Sequence, residues 1–196
     1  MLETSSYPVP GLQEAVALYG TPQERHYTYQ IRRETFLYWQ LVRRKRIGEV
    51  AILLRRRNGR YLVQSKGFYP PGTYRLMTGG IKPGEHLNVA VEREALEETG
   101  LIVRIERFWA ILTYDFLWEG QSQSFASYLF EVTEQDGILA LGDPDEAISD
   151  YREVTLADMA SLAEHLEALP PEWSDWGRFR AAVHRFIAES VEHHDK

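Results

Sequence analysis

Three glutamates, Glu94, Glu97 and Glu98, stand at i, i+3 and i+4 within Leu87–Thr99, a segment that reads as a helix closed by Gly100 as its left-handed cap. Residues at that spacing share one helical face, and like charges there repel by a few tenths of a kcal/mol per pair. A hard divalent cation removes the penalty. Mg2+ takes a few carboxylates, keeps several waters and pairs naturally with substrate phosphates. Arg93 adjoins the cluster. Ahead of it lies a glycine-rich turn, Gly79-Gly80-Ile81-Lys82-Pro83-Gly84, which lets backbone and substrate approach closely. A solvated, glutamate-rich face would have the same local composition, so the helix by itself leaves both readings open.

The longer spacing separates them. Gly79, five residues, Glu85, seven residues, then Arg93-Glu94-Ala95-Leu96-Glu97-Glu98-Thr99-Gly100-Leu101 matches the Nudix box at every fixed position, and through it the chain resembles the Nudix hydrolase family. The strand-like segments on either side, from about Val50 to Val154, are similar to the rest of that family's domain. Residues 1–48 and 160–196 lie outside the resemblance.

The resemblance implies an α+β fold: an α/β/α sandwich around a mixed sheet, with the box as a loop–helix–loop, here carrying N-terminal and C-terminal helical extensions. It implies a metal-dependent hydrolase, using Mg2+ or Mn2+, that cleaves a diphosphate linkage in a nucleoside diphosphate joined to another moiety. Nucleotide sugars and nucleoside triphosphates are substrates of this type. By position, Glu94, Glu97 and Glu98 would bind metal, with the carbonyl of Gly79 as a further ligand. Glu85 and Arg93 would pair to hold the loop against the helix. The family's general base often lies outside the box on a later loop; here Glu146 is the candidate, joining Glu94 and Glu98 as a catalytic group, with Asp145 and Asp150 behind it. Thr78 stands where many members have proline, a departure that bears on loop stiffness. A non-catalytic Nudix-like sensor of nucleotide sugars, or an interaction domain, is the alternative; a sensor would show eroded box acids, and all are intact here.

Other residues carry weaker signals. His86, beside the glycine-rich turn, would touch phosphate or simply sit at the surface. Tyr114, Phe116 and Trp118 alternate along a strand, as a base-stacking ladder or as core. Tyr38 and Trp39 would serve as core, dimer contact or lid.

These groups need elements to position them. A helix is expected over Gly11–Tyr19. Thr21-Pro22-Gln23-Glu24 has the form of a capping box and predicts a second helix running to about Arg46. Val50–Leu54 and Tyr61–Ser65 flank Asn58-Gly59, the strongest short-range hairpin signal because both turn residues tolerate positive φ. A short strand is expected over Tyr74–Met77, and two longer ones over Leu101–Trp118 and Ser124–Val132, joined through Glu119-Gly120-Gln121. Asp143-Pro144-Asp145-Glu146 reads as an acidic loop. Thr155-Leu-Ala-Asp158 is another capping-box pattern, opening a helix to about Leu169; Pro170-Pro171 breaks it, and Ser174 can cap a last helix. The expected organisation is a helical extension over 1–48, a catalytic domain over 49–160, and helices over 161–196 packed on that domain. Residues 1–48, rich in aromatics and basic groups, are expected to form a homodimer contact.

Composition sets the outer limits. The chain has 196 residues and no cysteine, which excludes disulfides, thiolate metal sites and a cysteine nucleophile. Its net charge of −7 argues against wholesale nucleic-acid binding. No stretch approaches the length of a membrane span and the N-terminus lacks a secretory pattern, so a cytoplasmic location is expected. Residues 32–66 hold eleven of the 22 basic side chains and two acids. That local excess would steer a phosphorylated substrate or keep exposed edges soluble.

Overall fold

The computed structural model describes residues 9–43, 45–141 and 147–192. In chain order the elements are α1 (Leu12–Tyr19), β1 (Gln23–Gln30), α2 (Arg33–Arg43), β2 (Glu49–Arg55), β3 (Tyr61–Lys66), β4 (Met77–Gly80), α3 (Leu87–Thr99), β5 (Leu101–Trp118), β6 (Gln121–Gly137), β7 (Ile148–Val154), α4 (Met159–Glu167) and α5 (Ser174–Glu192). The strands form a seven-stranded sheet in the order β1-β5-β6-β2-β3-β7, with β4 paired to β2. β1 runs parallel to β5, whereas β2/β3 and β3/β7 are antiparallel. The sheet is therefore mixed, and with five helices the fold is α+β.

The chain divides into two compact units. The first comprises residues 1–52, 78–94 and 104–132, the second 53–77, 95–103 and 133–196.

In the first unit, Gln23–Gln30 corrects the sequence expectation. The capping-box pattern at Thr21 predicts helix, yet the segment is a strand in register with β5, from Gln23 opposite Ala110 to Gln30 opposite Leu117. Its alternating Tyr27 and Tyr29 stack on Tyr114 at 5.7 and 6.4 Å between ring centroids. Against the about 0.5–2 kcal/mol that a cap supplies stand eight residues paired in register with β5 and aromatic cross-strand contacts worth about 0.2–1 kcal/mol each. The helix begins only at Arg33. It turns Phe36 and Trp39 inward, where Trp39 meets Phe116 and Phe125 at 4.5 and 4.7 Å. Tyr114 and Phe116 are buried, so their alternation is core packing, not an open base-stacking ladder. β5 and β6 turn at Glu119 and Gly120, whose φ values of 45° and 76° are the left-handed pair that a tight hairpin of this hand requires.

The glycine-rich stretch also differs from expectation. The strand lies at Met77–Gly80, not Tyr74–Met77, so Gly79 and Gly80 end the strand. A β-carbon on Gly79 would stand 1.7 Å from Cδ of Glu94. Only glycine lets the strand pass under that carboxylate.

In the second unit, the hairpin at Asn58-Gly59 pairs Leu54 with Leu62 and Arg55 with Tyr61. Thr155 and Asp158 close a reciprocal capping box, with the Thr155 N–H donating to Asp158 Oδ2 at 2.7 Å. It opens a one-turn 3-10 helix that leads into α4. Leu162, Ala163 and Leu166 of α4 are buried, and Trp173 and Trp176 pack on the cluster formed by Ala163, Leu166, Leu169 and Ala181.

Candidate active site

Helix α3 carries the box glutamates. In the first unit, Glu94 is 6% exposed and its Oε1 accepts a hydrogen bond from Arg93 Nη1 at 2.7 Å. Arg93 is in turn fixed by three other acceptors. It donates to Glu85 Oε1 from Nε at 2.6 Å and to Glu85 Oε2 from Nη2 at 2.9 Å, and Nη2 also reaches the Gly80 carbonyl at 3.0 Å. Glu85 Oε2 further accepts from the Lys82 N–H at 2.9 Å. Burial alone would raise the Glu85 carboxyl pKa, but the Arg93 fork and the Lys82 N–H outweigh it and hold the group below the usual carboxylate range. The guanidinium therefore ties the loop, the strand end at Gly80 and the helix into one piece.

In the second unit, Glu98 is fully buried. Lys66 Nζ stands 3.3 Å from its Oε1, with side-chain exposures of 11% for Lys66 and 1% for Glu98. Lys66 ends β3, and the register against β7 shifts between Ser65 and Lys66. Such a bulge re-aims the side chain that follows it. Tyr151 of β7 donates its hydroxyl to the backbone carbonyl of Glu98 and approaches the Ala140 carbonyl at 3.0 Å, fastening the end of α3. Glu97 is exposed.

The like-charge repulsion expected along α3 is thus answered by side chains of the protein: Arg93 faces Glu94, and Lys66 faces Glu98. Among the described residues no group of three His, Asp or Glu side chains is placed to hold a metal ion. The donor types themselves, the carboxylates of Glu94, Glu97 and Glu98 and the carbonyl of Gly79, are hard oxygens of the kind a divalent cation takes. The burial of Glu94 and Glu98 makes a compensating positive charge obligatory.

Glu146 and Asp145 lie outside the described residues. Asp150 is exposed and accepts a hydrogen bond from the Tyr74 hydroxyl. Its register partner on β3 is Ser65. His86 is half exposed, with Nδ1 3.4 Å from Glu14 Oε2, and packs close to Gly11. Lys66 and Tyr151 escape sequence reasoning altogether. A lone lysine and a lone tyrosine at strand positions carry no pattern, and only the β3–β7 pairing brings them to α3.

The model of the NUDIX domain matches residues 45–176. That span is more than half of the chain and contains the box, and the chain belongs to this family. Membership makes it a pyrophosphohydrolase of a class that acts on small nucleotide derivatives and generally works with a divalent metal ion. No curated protein matches the chain. Solved structures similar to it include an Ap4A hydrolase of C. elegans in a binary complex, at 19% identity over 69% of this chain and 96% of that one, with a TM-score of 0.42. A MutT protein from Methanosarcina mazei Go1 is 20% identical over 70% of this chain and 93% of that one, with a TM-score of 0.41. A NUDIX hydrolase from Nitrosomonas europaea is 20% identical over 59% and 76%, with a TM-score of 0.43. At these scores the family assignment rests on the match to residues 45–176. Among the described residues no helix is long and apolar enough to cross a membrane.

Proposed function

We propose that this chain cleaves a phosphoric anhydride bond in a nucleoside diphosphate linked to another moiety, of the nucleotide-sugar or nucleoside-triphosphate type. Mg2+ or Mn2+ would be held by Glu94, Glu97, Glu98 and the carbonyl of Gly79. One observation carries the reading. Glu94 and Glu98, a helical turn apart on α3, are both withdrawn from water, and each faces a cation, at 2.7 Å from Arg93 and 3.3 Å from Lys66. Carboxylates persist as anions in such places only beside positive charge, which is also what makes them receptive to a metal ion.

When bound, the ion supplies charge neutralisation to the phosphate oxygens and to the leaving oxygen. The other tasks fall to the chain. Arg93, braced by Glu85 and the Gly80 carbonyl, holds the Glu94 carboxylate against the bare backbone of Gly79. Tyr151 and the capped end of α3 fix the backbone that carries Glu98. Glu146 takes the proton from the attacking water.

A product-resolved screen of nucleoside diphosphate derivatives and nucleoside triphosphates tests the proposal. Release of a nucleoside monophosphate from at least one compound, abolished by EDTA, is expected. A broad panel without metal-dependent turnover would favour the non-catalytic sensor.

We also propose a homodimer contact through residues 1–48. Within the chain this region supplies β1 and buries Phe36 and Trp39, and among its described residues Leu18 of α1 and Leu37, Tyr38 and Leu41 of α2 are exposed apolar side chains, the α2 group being the larger. Light scattering should report two subunits for the native chain and one for Leu41→Glu; identical masses would dismiss the contact.

A further inference from the structure

The ion pair between Lys66 and Glu98 has a meaning beyond neutralising a buried charge. We propose that Lys66 is the resident counter-cation of Glu98, and that a divalent ion loads onto this carboxylate by displacing the Lys66 ammonium. The inference rests on the proposed role of Glu98 as a metal ligand.

Three features of the second unit support it. Lys66 Nζ lies 3.3 Å from Glu98 Oε1, while a Mg2+ ion binds carboxylate oxygen at about 2.0–2.1 Å. Two positive charges would then be crowded around one buried oxygen, and with so little water to screen them they exclude one another. Secondly, the lysine is placed to leave. It is the last residue of β3, it follows a register shift, and the next two residues, Gly67 and Phe68, are exposed. Its four-carbon stem and compact, strongly hydrated head can swing to solvent from such a position. Thirdly, Glu98 cannot follow. Its side chain is 1% exposed, and its backbone carbonyl is held by the Tyr151 hydroxyl. When a metal ion arrives, the cation moves and the carboxylate stays.

Lys66 therefore keeps the metal-free protein folded at the cost of metal affinity. Replacing it with a neutral side chain of similar length removes the competitor and also the ion pair that Lys66 gives to Glu98, so two effects act in opposite directions. In EDTA, Lys66→Met should melt at a lower temperature than the native chain. In Mg2+ it should gain more, because binding energy no longer displaces an ion pair. Calorimetric titration of the full-length chain with MgCl2 at pH 8, or Mn2+ titration followed by electron paramagnetic resonance, reads the affinity directly. The metal Kd of Lys66→Met should fall by roughly 3- to 30-fold, the factor expected from a competing buried pair of ordinary strength.

Lys66→Arg supplies the second arm, which does not depend on the neutral variant being folded in EDTA. A guanidinium keeps the charge and can grip the carboxylate through two donors, so the metal Kd should rise above the native value. Metal binding by Lys66→Met that is unchanged or weaker than native overturns the proposal, as does Lys66→Arg binding metal as well as the native chain. Failure of the underlying functional reading looks different. In that case the native chain itself shows neither Mg2+ binding nor metal-dependent turnover. A native enzyme that hydrolyses with Mg2+, while both variants retain native metal affinity, removes only the role given to Lys66.

Discussion

A carboxylate with no access to water, such as Glu98, must be neutral or paired, and here it is paired with Lys66. Glu94 meets the same requirement through Arg93. The difference between the two cations is physical. The Arg93 guanidinium is planar, permanently charged and spent on four acceptors, two on Glu85 and one each on Glu94 and Gly80, so it behaves as part of the framework. The Lys66 ammonium sits on a flexible stem at a strand end. At this scale the proposed base gives a sharp expectation. Glu146→Gln keeps the size of the side chain but cannot take a proton, so kcat should fall by ~10²–10⁴ with little change in metal affinity. Steady-state kinetics beside a Mg2+ titration checks both halves. An undiminished kcat would return the base to the box helix.

Elements decide how closely such groups can approach. Gly177 of α5 shows this where α4 and α5 pack: a β-carbon there would stand 2.1 Å from the Leu166 carbonyl oxygen. Alanine is the better helix former by about 1 kcal/mol, so propensity alone predicts that Gly177→Ala stabilises the protein. The clash is with backbone, which cannot rotate away, and forcing two packed helices apart costs about 1–3 kcal/mol or more. The steric term should win. Thermal denaturation is expected to show a lower Tm for Gly177→Ala, and a higher one would mean that the two helices cross less tightly than described. Gly79 obeys the same logic beneath Glu94, with chemistry instead of packing at stake.

The whole molecule adds a dependence on pH that no single element shows. His184 is buried in the second unit, its Nε2 accepting from the Leu76 N–H at 3.0 Å and its Nδ1 2.8 Å from the Arg180 carbonyl oxygen. Burial, chiefly, lowers its pKa from 6.5 to about 4; the Arg180 carbonyl opposes the shift, while the nearby charges of Arg75 and Arg180 add to it. An imidazolium could not accept the Leu76 hydrogen bond. The unfolded chain takes up a proton below about pH 6.5, and the folded chain does not until about pH 4. The His184 contribution is therefore complete above pH 6.5 and is lost as the pH falls from there toward 4. At 1.36 kcal/mol per pKa unit the full loss is roughly 3 kcal/mol. Urea unfolding at pH 7.5 and pH 5.0 should show the native chain weakening more than His184→Gln over that interval. Parallel losses in the two proteins would assign the acid sensitivity elsewhere.

Local signals in the sequence were enough for the elements whose stability is local. The α3 helix with its Gly100 stop, the Asn58-Gly59 hairpin and the Thr155–Asp158 capping box are each decided by residues within a few positions of one another, and each is legible without the fold. So is the box spacing, because a helix converts i, i+3 and i+4 directly into a face. The stretch Gln23–Gln30 departs from its local signal for the complementary reason. Its cap-like start is a local preference, but its partner, Ala110–Leu117, lies far along the chain, and stacking of Tyr27 and Tyr29 on Tyr114 is invisible until the strands meet. The cations that face the buried glutamates divide in the same way. Arg93 adjoins Glu94 in sequence and could be named from it. Lys66 reaches Glu98 only because β3 pairs with β7 and a register shift re-aims its last residue. A chain's short-range chemistry is written in its spacing, whereas the charge that balances a buried carboxylate depends on which distant strand the tertiary structure lays beside it.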